Sequence, residues 1–292
     1  MRRLALLLSL LLPLSLLAGA AQIARADAAD LKLATWNLGW LTVRPLGDPA
    51  LPGDVGPTRE ADIARLASYA AALDADVVAF QGIDGAVLAA RLFPPERYVI
   101  QISGDAVLQR VGFAVRRGLA FTANADVATL DPYPHARFRL RSGVDITLAG
   151  GLRLLAVHLK SGCRDVALDT ADRPACATLG LQADALSGWM AARDAAGQAF
   201  AVLGDFGRVM DGADDFLARA EASIPLLRAT EGHASPCWGG AAFTDHVLLG
   251  GAARGWLLPD TLRVMVYRET GETWRGRLPD HCPLSIRLHL AD

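Results

Sequence analysis

Six apolar runs in this chain stop or start at a polar residue capable of chemistry. Trp36-Asn37 closes the first, and Gln81 closes the second with Asp84 just beyond. His158 nearly ends the third, and Gly204-Asp205 ends the fourth. Asp245-His246 opens the fifth, and Asp280-His281 precedes the last. A buried polar group without a partner costs about 1–3 kcal/mol. One such residue is ordinary; several carboxylates and two histidines at strand ends predict that the runs meet at one rim.

The runs set the fold class. Residues 31–38, 76–81, 111–116, 137–148, 152–159, 199–203, 243–249, 262–267 and 283–290 read as strands, by alternation or by short β-branched and aromatic content. Residues 58–73 and 179–193 read as helices, with Ile63, Leu66 and Ala70, and then Leu179, Ala183, Leu186 and Met190, on one face. Gly150-Gly151 joins two antiparallel neighbours, and residues 44–57 form a long loop. Hairpins mixed with helices predict layered α/β (α+β) architecture rather than a doubly wound parallel sheet. No linker or repeat divides residues 30–292, which are expected to form one domain. With 52% hydrophobic and 21% charged residues, the chain is neither disordered nor a small disulfide scaffold.

Residues 1–26 read as a secretory signal peptide: Arg2 and Arg3, an apolar run over 4–17, then Ala18-Gly19-Ala20 and Ala24-Arg25-Ala26 as cleavage sites. The run is short for a spanning helix, so no stable membrane insertion is expected after cleavage. The destination is periplasmic or secreted. Loss of Arg2, Arg3 and Arg25 takes the net charge from −2 to −5, which gives no global drive toward nucleic acid. Cys163, Cys176, Cys237 and Cys282 suit an oxidising compartment. Four cysteines allow three pairings; Cys163–Cys176, flanking a polar segment, is the most local.

In their order along the chain, six pieces resemble the endonuclease/exonuclease/phosphatase superfamily, which includes pancreatic-type deoxyribonucleases, abasic-site endonucleases, sphingomyelinases and inositol-polyphosphate phosphatases. The pieces are Thr35-Trp36-Asn37, Asp76-Val77-Val78-Ala79-Phe80-Gln81, Val157-His158-Leu159, Gly204-Asp205-Phe206, Thr244-Asp245-His246 and Asp280-His281-Cys282-Pro283. The resemblance implies a four-layer sandwich of two packed, mixed, largely antiparallel β-sheets flanked by helices. It also implies hydrolysis of phosphodiester or phosphomonoester bonds, nuclease-like by family precedent, with Mg²⁺ or Mn²⁺. Partners would be phosphate-ester substrates, nucleic acid among them, met by a monomer. His281 would be the base or charge stabiliser beside the attacking water, and Asp245 would hold its ring. His158 would donate to a phosphate oxygen, and Asp205 would position the water. Asn37 and Asp280 would stand on the metal side. If Asp245 holds His281, the chain before Asp245 passes Cys282, which implies a Cys237–Cys282 disulfide.

Two positions depart from the family pattern at the chemistry. The family's metal-binding glutamate is Gly82 here, and the phosphate-binding asparagine after Gly-Asp-Phe is Gly207. A weakly held metal and weakened activity are expected. Asp84 is the candidate substitute ligand, since it would leave the same face of an extended segment as residue 82; its other reading is a turn or the N-cap of a helix over 86–92. A catalytically degenerate binding protein on the same scaffold is the alternative function. His246 reads as a neighbour of Asp245 without a catalytic role. Arg137, Arg139 and Arg141 alternate and are expected on one strand face, either solvated or holding an anion.

Overall fold

A computed structural model describes residues 30–170, 172–222 and 224–290; the expected signal segment lies outside them. The strands are β1 (Leu31–Leu41), β2 (Val77–Ile83), β3 (Tyr98–Ile102), β4 (Arg110–Arg116), β5 (Phe121–Ala123), β6 (Val144–Leu148), β7 (Arg153–His158), β8 (Phe200–Asp205), β9 (Leu227–Arg228), β10 (Asp245–Gly250), β11 (Arg263–Val264) and β12 (Leu284–Leu288). The α-helices are α1 (Glu60–Leu73), α2 (Ala86–Leu92), α3 (Pro174–Ala195), α4 (Asp215–Ala220) and α5 (Glu272–Arg275). The strands form two six-stranded sheets, ordered β11-β12-β1-β2-β4-β3 and β5-β6-β7-β8-β10-β9.

Connections follow from pairing direction. Only β1–β2 and β7–β8 are parallel, and a parallel pair needs a crossover. α1 supplies the first and α3 the second. β6 and β7 are antiparallel, joined through Gly150 and Gly151 at φ 94° and 90°, a backbone that glycine adopts without a Cβ penalty.

Three apolar layers hold the sandwich. Leu33, Val77, Ala79, Leu154, Ala156, Ala201, Leu203, Val247 and Leu249 pack between the sheets. Ala34, Trp36, Val78 and Phe80 face outward onto Ile63, Leu66 and Ala70 of α1. Leu155, Val157, Val202 and Leu248 face Leu179, Ala183 and Leu186 of α3 on the other side. Both faces of the central strands are therefore apolar, and alternation only decides which layer each residue joins.

Three local expectations are corrected. The strand expected over 137–148 begins only at Val144, and 262–267 yields only Arg263–Val264. β3, β5 and β9 escaped the pattern because β3 and β5 are edge strands with exposed positions, and β9 is two residues long. Cys163–Cys176 and Cys237–Cys282 are both bonded, with Cα–Cα distances of 4.9 and 5.7 Å. No helix among the described residues is long and apolar enough to cross a membrane.

Candidate active site

Period-two geometry builds the site. On β1 the inward residues are Leu31 and Leu33, and two further steps along that face lead through Thr35 to Asn37. On β2, Val77 and Ala79 lead to Gln81; on β7, Leu154 and Ala156 lead to His158; on β8, Ala201 and Leu203 lead to Asp205. On β10, Leu249 and Val247 lead back to Asp245. Each inward row thus ends in a polar group at one rim of the inter-sheet space. Asp245 and His158 are both cross-strand partners of Asp205, and His281 arrives on the segment before β12.

The contacts centre on Asp205. Its Oδ2 accepts from Asn37 Nδ2 at 2.8 Å, and its Oδ1 accepts from the Gly207 N–H at 2.7 Å. His158 Nε2 and His281 Nε2 stand 3.7 and 3.9 Å from Asp205 Oδ2. His281 Nδ1 donates to Asp245 Oδ2 at 2.6 Å. His158 Nδ1 and Asp245 Oδ1 are buried without partners among the described residues. Asp280 is at the mouth, 82% exposed, with its Oδ1 3.6 Å from His281 Nε2.

These surroundings separate the groups by charge. Burial and the neighbouring Asp245 charge raise the Asp205 carboxyl to about 6. Burial alone would lower His281, but the charges of Asp245, Asp205 and Asp280 hold it up at about 10. Burial, with Arg141 and His281 adding to it, pushes His158 well below the usual imidazole range. At neutral pH the rim therefore holds an imidazolium, a neutral imidazole and a carboxylate.

Of the three alternating arginines, Arg141 alone reaches the site residues. Its Nε donates to the His158 carbonyl at 2.9 Å, and its guanidinium also reaches Gln109 Oε1 at 3.3 Å. Arg139 instead binds Asp131 at 3.0 Å, and Arg137 lies over Phe138. The three arginines share no strand face because residues 137–142 are a loop.

Asp84 is turned away from the rim. Its Oδ2 accepts from Thr42 Oγ1 at 2.9 Å and Arg44 Nε at 2.7 Å. It does not cap α2 either: the N-cap is Gly85, without a side-chain bond. Its carboxylate instead fastens the loop after β1. His246 faces the α3 side, with Nε2 donating to the Arg208 carbonyl at 3.0 Å and Nδ1 accepting from Thr230 Oγ1 at 2.6 Å.

The residues on the expected metal side do not fit a cation. Gly82 has φ 78°, and a Cβ there would meet Gly39 O at 2.2 Å. Asn37 spends Oδ1 on the Gly39 N–H and Nδ2 on Asp205. That leaves the exposed Asp280 carboxylate. Asp205, Asp245 and His281 do place one ligand-capable atom each within 4.8 Å of one another.

No protein-family model and no curated protein matches the chain. Solved structures do. A 3′ phosphatase, NExo, from Neisseria, solved bound to product DNA hairpin, superposes with a TM-score of 0.56 at 17% identity, covering 88% of this chain and 99% of its own. An endonuclease/exonuclease/phosphatase from Bacteroides vulgatus gives 0.55 at 12% identity, covering 90% and 100%. The human nocturnin catalytic domain with bound sulfate anion gives 0.52 at 12% identity, covering 90% and 95%. At 12–17% identity the likeness is one of fold, and the chain has the endonuclease/exonuclease/phosphatase fold.

Proposed function

We propose that the protein hydrolyses phosphoric esters at the rim built from Asn37, His158, Asp205, Asp245 and His281. The observation that carries this reading is the approach of His281 Nε2 to within 3.9 Å of Asp205 Oδ2, with Asp245 bonded to the other ring nitrogen. A carboxyl raised to about 6 is a usable base for a water proton near neutrality. Imidazolium His281, oriented by Asp245, opposes charge developing on the phosphate oxygens. Neutral His158 has one N–H to donate to such an oxygen. Asn37 and the Gly207 N–H hold Asp205 in place. The two disulfides support a periplasmic or secreted protein. A DNA 3′-phosphate is a substrate worth testing, because the Neisseria neighbour is a 3′ phosphatase bound to DNA.

The test is hydrolysis of p-nitrophenyl phosphate, bis(p-nitrophenyl) phosphate and a 3′-phosphorylated oligodeoxynucleotide. Asp205→Asn is expected to lower kcat by roughly 10²–10⁴, the range for a lost general base. His158→Ala should cost roughly 10²–10³ if it donates to a developing oxyanion. A second reading, binding of phosphate esters without turnover, is favoured by Gly207, which offers no side-chain donor beside Asp205. Saturable binding of these esters, with wild type and Asp205→Asn equally inactive, would select it.

A further inference from the structure

The place of a metal-binding carboxylate is filled by the chain itself. Gly39, at φ 67°, turns its peptide toward Gly82, so its carbonyl oxygen occupies the direction a side chain at 82 would take. Gln109 Nε2 donates to that carbonyl at 2.8 Å, while Gln109 Oε1 accepts from Arg141. A continuous chain, Gly39–Gln109–Arg141, thus runs from the missing carboxylate to a guanidinium beside His158.

Arg141 has an unusual set of partners. Its acceptors are the carbonyls of His158 and Leu159 and the amide oxygen of Gln109, all uncharged. Among the described residues it forms no ion pair, and the carboxylates of Asp205 and Asp105 favour its charged form only from beyond ion-pair distance. A sheltered guanidinium whose hydrogen bonds all go to uncharged oxygens favours an anion nearby. The neighbouring His158 leaves Nδ1 buried and unpartnered. The charge balance also works: a carboxylate plus a divalent cation adds one net positive charge, and Arg141 supplies one.

The Asp205, Asp245 and His281 cluster is a poorer metal site than the lost side. Asp245 and His281 are bonded through Oδ2 and Nδ1, and each Asp205 oxygen already accepts a hydrogen bond, which leaves Asp245 Oδ1 as the cluster's one unpartnered carboxylate oxygen among the described residues. We propose that the rim holds phosphate without a divalent cation, with Arg141 as the fixed positive charge in the metal's stead. The inference rests on the reading of the rim as a phosphate site.

The experiment is isothermal titration of the disulfide-bonded protein with inorganic phosphate, in EDTA and again in excess Mn²⁺, and with Mn²⁺ alone. Phosphate affinity is expected to agree within about threefold between the two conditions, less than the tenfold that 1.4 kcal/mol represents. Arg141→Gln should weaken phosphate binding in EDTA by roughly tenfold or more, the scale of a lost charge-assisted hydrogen bond, and Arg141→Lys should recover part of it. If Arg141→Gln does not fold, the wild-type comparison decides alone. Phosphate binding that requires Mn²⁺ would overturn the inference and leave the phosphate reading standing. Tight binding of Mn²⁺ alone, abolished by Asp205→Asn, would overturn it too. No phosphate binding in either condition would overturn both.

Discussion

The carbonyl oxygen of Gly39 lies 2.2 Å from the point where a Cβ on Gly82 would stand, with both glycines at positive φ. Gly82→Glu therefore cannot rebuild a metal ligand in place. It should destabilise the fold by more than about 2 kcal/mol, from a disfavoured backbone and a backbone clash together. Urea unfolding of Gly82→Ala and Gly82→Glu checks this, and near-equal losses would locate the cost at the Cβ.

Catalysis should follow two titrations. Asp205 must lose its proton to act as a base, so kcat should rise as pH passes about 6. His281 must keep its proton to oppose phosphate charge, so kcat should fall as pH passes about 10. A pH–rate profile measures both limbs. His281→Gln should remove the alkaline limb and leave the acidic one.

His246 ties stability to pH. Burial lowers it to about 4 in the folded protein, against about 6.5 for an unfolded histidine. The unfolded chain binds the proton more readily between those values. The contribution is thus complete above about 6.5 and is lost as pH falls toward 4, on the order of 3 kcal/mol. Between pH 7.5 and pH 5 the urea midpoint should fall less for His246→Gln than for wild type, with buried His158 still contributing to the drop in both.

The two disulfides should fail differently. Replacing Cys237 and Cys282 with serine frees the residue next to His281, so kcat should drop along with roughly 4 kcal/mol of stability. Replacing Cys163 and Cys176 should cost about 3 kcal/mol with a smaller change in kcat. Parallel unfolding and turnover measurements separate the two.

Asp84→Asn should lower stability by no more than about 1 kcal/mol, because its partner Arg44 is substantially exposed. Phosphate binding should be unchanged, which titration of the variant would show.

Asn37, His158, Asp205 and Asp245 are legible in the sequence because each extends a strand's inward row by the period of two. His281 is legible only through its motif, since it precedes its strand. The placement of Arg141 is obscured because alternating arginines imitate a strand, while residues 137–142 form a loop and each arginine finds a separate partner. Gln109 and Gly39 have no local signal. Their meeting depends on a bulge in β1 and another in β2, at Asn37/Leu41 and Gln81/Ile83, and on a loop 70 residues away. Asp84 misleads because parity beyond a bulge no longer holds.

The pairing of Leu31 with Leu288 and of Thr35 with Leu284 has a consequence for the order of assembly. The first strand of the sandwich has a vacant edge until the last strand arrives to sit between it and β11. Closing so long a loop is entropically late, and such contacts form slowly. His281 rides on that final insertion. A nascent or C-terminally clipped chain can already carry Asn37, His158, Asp205 and Asp245, yet it lacks the imidazolium that faces them. Competence would then switch on with closure of the sheet, and a chain caught before it would be both inert and open at a strand edge.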